Sequence, residues 1–321
     1  MNRVFSKETT VLITPAAAAR RAAEVKARSS WQLTLARLVR DPASIISALV
    51  IVGIVAFALG APLIAEWTGH GPTEQLRETG LSAAGIPVGP SAEFLLGTDQ
   101  LGRDVLVRLA YGARVSLLVG VVASLIASAI GILIGMIAGF FGGIVDTVLS
   151  RVIDLVMSVP FLLVAIATVS VLGPSLQLSI AVIVFFSWTG LARVIRGQVL
   201  AIREREFIEA ARSLGESRLS IMFTGVLPNL IVPIIVYTTL MIPAAIVFEA
   251  TLSFLGLGIV PPTPSWGNML ADAANGSMYM VAPWMVLVPG LALLALTLAF
   301  NLLGDGLRDA LDPSSTKGGK S

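Results

Sequence analysis

The sequence predicts an all-α membrane protein with six transmembrane helices, and three observations carry that expectation. Of 321 residues, 55% are apolar and 13% are charged, the latter about half the roughly 25% of soluble domains. Mean hydropathy is +0.88, and a soluble chain of this length cannot do without a charged skin. Charge-free stretches of about 20 residues, enough to cross a bilayer at about 1.5 Å per residue, recur along the chain. The same composition excludes several classes. A net charge of +2 is too small for a nucleic-acid-binding protein despite a pI near 9.2. Without cysteine there is no disulfide framework, thiolate metal site or cysteine nucleophile. His70 is the only histidine, which removes the two-histidine zinc motif and any multi-histidine site.

The spans follow in order. Residues 42–65 form the first. Residues 115–145 form the second, closed by Gly139, Gly142 and Gly143 ahead of Asp146. No charge occurs from 155 to 192, and Gly173-Pro174-Ser175 divides that run into spans three and four. Span five lies within 219–248 and starts near Pro228; span six lies within 273–304 and starts near Pro283. The acid Glu249 sits about 30 Å along span five, close to an interface, where a hydrogen-bonded gate or packing role suits it better than substrate binding. Other polar groups in the spans are scattered: Ser158, Thr168, Ser170, Ser187 and Thr189.

Orientation follows from the Lys/Arg bias of the loops. Eight basic residues precede span one against three acids, whereas residues 66–111 hold three basic residues and six acids. The connection 193–218 holds six arginines. Both termini and that connection are therefore expected in the cytoplasm, with 66–111 outside. The first 30 residues read as a disordered or loosely helical lead, with an amphipathic helix at 31–40. Gly319-Lys320-Ser321 imitates the end of a phosphate-binding loop, but residue 314 is Ser rather than Gly and no helix follows.

Two segments are more specific. Residues 203–229 are mostly polar and helix-favouring, long for a connector between spans. Glu206, Phe207, Glu209, Ala210 and Ala211 form a short helix there, with small residues on one side and an end near Gly215. Spacing alone also fits a solvated connector with Glu/Arg pairs. Before span two, Asp99, Arg103, Asp104 and Arg108 stand at spacings that allow helical ion pairs, giving either a folded lid or a contact with substrate.

Glu209-Ala210-Ala211, Gly215, Ile221 and Leu227-Pro228-Asn229 resemble the EAA loop of ABC importer membrane subunits, with Gly at 225 where that family often has His. The segments 96–104, 252–258 with 261–267, and 300–309 resemble the C-type membrane subunit of dipeptide, oligopeptide and nickel importers, as do Trp31, Arg37, Arg40, Asp41 and Pro42. The resemblance covers nearly everything after residue 30. It implies the type I ABC importer transmembrane fold and a non-catalytic transport subunit of a bacterial inner membrane. The domains become a cytoplasmic lead (1–41), the first span (42–65), an extracytoplasmic segment (66–111), the transmembrane domain (112–305, coupling loop 193–228) and a cytoplasmic tail (306–321).

The resemblance also implies partners: a homologous second permease subunit, two ATPase subunits that bind ATP and Mg, and an extracytoplasmic substrate-binding protein. Glu206, Glu209, Ala210, Ala211, Arg212 and Gly215 become the ATPase-coupling residues, and Glu249 a gate or pathway residue. No cofactor or metal is expected in this chain. Peptides are the expected solute, with nickel or another small solute as the alternative. A secondary transporter is the competing class; it calls for broken-helix repeats and midplane ion-coupling residues, and the sequence displays neither.

Overall fold

Asp41 ahead of Pro42 writes a helix start. In the computed structural model, which describes residues 30–311, the Asp41 carboxylate accepts the Ser44 amide at 2.9 Å. The readings of the lead before residue 30 and of Gly319-Lys320-Ser321 lie outside the described residues. Helix α1 (Ser30–Leu38) occupies most of the stretch read as amphipathic, and its Arg37 donates to the Ala310 carbonyl at 3.2 Å. Helix α2 (Pro42–Leu59) ends at Gly60 and α3 (Ala61–Thr68) follows. The first span expected at 42–65 is thus interrupted, because Pro62 has no amide to donate and its ring crowds the preceding turn.

A short α4 (Arg77–Gly80) lies in the segment leading to α5 (Val105–Phe141). α5 starts ten residues before the expected 115. A charge-free criterion stops at Arg114, whereas the helix tolerates Arg108 by burying it in ion pairs. Then come α6 (Gly143–Ser158), α7 (Phe161–Leu172), α8 (Leu176–Ile202), α9 (Glu206–Ser213) and α10 (Arg218–Ser220). A π-helical turn (Ile221–Val226) leads into α11 (Leu227–Phe254), and α12 (Trp266–Ala274) and α13 (Trp284–Leu311) complete the order. Among the described residues no strand forms; two isolated bridges pair Leu81 with Pro87 and Thr98 with Asp104.

Among the described residues five helices are long and apolar enough to cross a membrane: α2, α5, α8, α10 with α11, and α13. The count reaches six when α6 and α7 are taken as one span bent by 79°. Span three is therefore not the straight rod that its apolar run predicts. Pro160 follows Ser158 and Val159, and proline disfavours helical backbone at the residue before it. The 12 residues of α7 reach only about 18 Å, too short to cross alone. α6 carries Asp146 and Asp154 and is clamped to α8 by them: Arg196 holds the Asp146 carboxylate with both guanidinium arms, and Arg193 meets Asp154 at 2.8 Å.

The centre of the bundle is the pairing of α5 with α8. Gly131, Gly135 and Gly139 fall on one face of α5, one turn apart, the small-residue stripe that lets membrane helices approach closely. A Cβ at 131 would stand 2.7 Å from the Trp188 carbonyl oxygen, and one at 135 only 2.6 Å from that of Ala192. α5 meets α11 through a second kind of contact, a hydrogen bond of 3.0 Å from Thr238 to Ser128. Neither residue stood among the polar groups read from the spans.

Candidate functional site

At one end of the bundle α9 lies beside the ends of α5 and α8. Ile208 is its one wholly buried side chain, seated among Ile221, Met222 and Val226. Glu206, Glu209, Ala210 and Arg212 are exposed and Ala211 is half-buried. Phe207 and Leu214 leave 44% and 88% of their surfaces uncovered. The helix stops in a Schellman arrangement: the Glu216 amide donates to the Ala211 carbonyl at 3.1 Å, and the Gly215 amide to that of Arg212 at 3.0 Å. Gly215 has φ +80°, a conformation that L side chains adopt only with strain, although the space around it is open. Ser217 then caps α10 by accepting the Ser220 amide at 3.2 Å. Gly225 packs beneath Ile208, where an added Cβ would lie 3.0 Å from its Cδ1. A small rigid helix, anchored at one residue and free over its outer face, is the form of a docking element.

At the opposite end the four charged residues around the start of α5 pair, but not along a helix. Gly97 and Gly102, each at φ +75°, fold residues 97–104 into a tight turn. Asp99 meets Arg103 at 2.6 Å and Arg108 at 3.2 Å. Asp272 of α12 receives both arginines, at 2.8 and 3.4 Å. Asp104 instead caps α5, accepting the Leu106 and Val107 amides at 2.7 and 3.2 Å, and pairs with His70 at 2.8 Å. The expectation of helical pairing fails because the two glycines turn the chain before the helix begins. All four residues are buried, so their charges face one another and not solvent. Burial raises the Asp272 carboxyl above its ordinary value, opposed by Arg103 and Arg108. Asp272 and His70 were missed as partners by sequence reasoning, because Asp99 and Asp104 already balance Arg103 and Arg108 and nothing local signals an acid arriving from elsewhere.

Glu249 is wholly buried on α11. It accepts the Ser116 hydroxyl of α5 and the Ser253 hydroxyl one turn on, each at 2.8 Å, and Ser253 in turn accepts the Ile259 amide at 3.2 Å. This carboxylate therefore ties two helices to the loop after α11. Ser116 and Ser253 were invisible as its partners, since a serine in a span carries no mark of what it faces. Glu249→Gln keeps an acceptor and is expected to melt close to wild type. Glu249→Ala strands both hydroxyls and should destabilise by about 2–3 kcal/mol, the cost of unsatisfied buried groups; thermal unfolding in detergent measures the difference, and equal melting of the alanine variant would refute the role.

Residues 131–317 match the family described as the inner membrane component of binding-protein-dependent transport systems. The chain belongs to that family. Residues 29–79 match the N-terminal transmembrane domain of oligopeptide transport permease C. The dipeptide transport system permease protein DppC of Alkalihalophilus pseudofirmus is 40% identical over 287 residues, covering 89% of this chain and 90% of the relative. The oligopeptide transport system permease protein OppC of Salmonella typhimurium is 41% identical over 290 residues, covering 90% and 93%. DppC of Escherichia coli K12 is 46% identical over 266 residues, covering 82% and 88%. Among solved structures, a chain of the inward-facing MetNI methionine ABC transporter superposes with a TM-score of 0.52 at 20% identity, covering 64% of this chain and 96% of that one. The fold is that of a type I ABC importer permease. In this inner membrane component, a multi-pass membrane protein, α9 and the buried charges occupy opposite ends of the bundle.

Proposed function

We propose that the chain is the membrane subunit of an ATP-driven peptide importer and forms half of its pathway. A homologous second permease subunit supplies the other half, an extracytoplasmic binding protein delivers di- or oligopeptides, and two ATPase subunits bind ATP and Mg and do the hydrolysis. The permease sits in a bacterial inner membrane with both termini and α9 in the cytoplasm. The observation that carries this reading is α9, held rigidly by Ile208 and by its Schellman stop while its outer face stays uncovered. The names of the relatives, dipeptide and oligopeptide permeases, support the cargo. Coupling follows when α9 moves with an ATPase whose open and closed states hold it differently.

The test is uptake of a labelled dipeptide and stimulated ATP hydrolysis in vesicles carrying the whole complex. Glu209→Lys reverses a charge on the docking face, and Gly215→Val forces a β-branched side chain into positive φ, a strain of about 1–3 kcal/mol. Each should reduce uptake at least tenfold while the subunit still inserts. Arg205→Gln, on an exposed residue just before α9, should change little. Wild-type uptake by both loop variants would return α9 to the status of a connector, and uptake of a metal ion in place of peptides would reassign the cargo.

A further inference from the structure

We propose that the cleft at the α9 end of the bundle holds the phosphate of an anionic phospholipid headgroup. The cleft measures about 500 Å³ and lies where α5 and α8 end, within the roughly 300–1,000 Å³ of small-ligand sites. Arg203, Arg212 and Arg218 line it with Glu204 and Glu216. The carboxylates are taken up locally: Glu204 pairs with Arg203 at 2.9 Å, and Glu216 accepts the Ser220 and Thr224 hydroxyls at 2.6 and 3.3 Å. Arg203 is further committed to the Gly139 carbonyl at 3.1 Å. Arg212 and Arg218 make no ion pair among the described residues. Three guanidinium groups against two carboxylates leave the concavity a net positive charge, and the planar forks of Arg212 and Arg218 match a phosphodiester.

The walls say which phosphodiester. Phe140 and Phe141 close the last turn of a membrane-crossing helix, and the Arg212 guanidinium lies 5.9 Å from the centroid of the Phe140 ring. Phe141 is 39% exposed and Ile144, just beyond the Gly142–Gly143 turn, 82%. An apolar track therefore leaves a basic cleft, which suits a ligand with an anionic head and a hydrocarbon tail. A protein partner fits less well. Arg212 is exposed like Glu206 and Glu209, but its guanidinium lies over the Phe140 ring at the end of a span and so turns toward the membrane-crossing helices. Basic pockets beside spans on the cytoplasmic side recognise such headgroups. The inference is independent of the cargo; only its assignment to the cytoplasmic leaflet rests on the orientation proposed above.

The test uses the intact complex in nanodiscs of phosphatidylethanolamine with graded phosphatidylglycerol, and counts retained lipid by native mass spectrometry after mild detergent extraction. Wild type should retain phosphatidylglycerol in preference to phosphatidylethanolamine. R212Q/R218Q should weaken that retention about 25-fold, roughly fivefold per basic residue, whereas R212K/R218K, which keeps both charges but not the planar forks, should weaken it less. Melting temperatures separate loss of lipid from loss of fold. Equal retention by wild type and R212Q/R218Q overturns the proposal. Displacement of the lipid by excess inorganic phosphate also overturns it, by assigning the cleft to a soluble anion.

Discussion

Asp99→Ala is expected to loosen the end of the bundle that carries the buried charges. The substitution leaves Arg103 and Arg108 buried with only Asp272 between them, and also removes the acceptor of the Leu101 and Arg103 amides at 2.9 and 3.1 Å. Removing one partner of a buried ion pair costs about 3–5 kcal/mol, because the remaining charge has lost its water as well as its partner. Reduced thermal stability and early proteolysis between residues 69 and 104 are the expected readouts. Asp99→Ala combined with Arg103→Met removes one unpaired charge along with the acid and should recover part of the loss. A single variant that melts like wild type would show that the cluster holds nothing in place.

Gly135→Val separates α5 from α8. Its Cβ would stand 2.6 Å from the Ala192 carbonyl oxygen and 2.8 Å from Ile195 Cβ, and backbone on the far side cannot rotate out of the way. Overpacking of this kind costs about 1–3 kcal/mol where side chains can yield, and more is expected where the opposing atom is a carbonyl. Gly190→Ala is the control. No atom lies within 4 Å of a Cβ there, and alanine favours a helix over glycine by about 0.5–1 kcal/mol. Gly135→Val should lose the monodisperse peak on size exclusion in detergent and Gly190→Ala should keep it. Identical behaviour would mean that the stripe is not the seam.

Much of this was legible in the sequence. Spans four and six begin within about a residue or two of the expected Ser175 and Pro283, because proline and glycine punctuate a chain whose interior is otherwise uniform; span five belongs to a helix that already starts at Arg218, ahead of the expected Pro228. The start of α5 was not, since Arg108 and Arg114 look like a membrane boundary until Asp99 and Asp272 are seen to neutralise the first of them. The bend in span three was written as Pro160 but hidden by an apolar run of the right length. The helix at Glu206–Ser213 was readable because its acids, its small residues and Gly215 lie within ten positions of one another, whereas its anchor Ile208 was not singled out. The buried clusters were not: Asp99 meets Asp272 through arginines, and Ser116 meets Glu249, across separations that local pattern does not encode.

α5 has 37 residues and is about 55 Å long, nearly twice the roughly 30 Å hydrocarbon core. Its first turn carries Arg108 in the buried charge cluster, and its last turn carries Phe140 under Arg212 of α9. No proline interrupts it, so the two ends cannot move independently. Tilting a rod of that length by about 5° about one end carries the other through about 5 Å, close to one helical turn. α5 is thus a lever pivoted at its α9 end: a change of tilt there that preserves every bond in the Schellman stop of α9 would become, at the far tip, a stroke long enough to part Arg108 from Asp272.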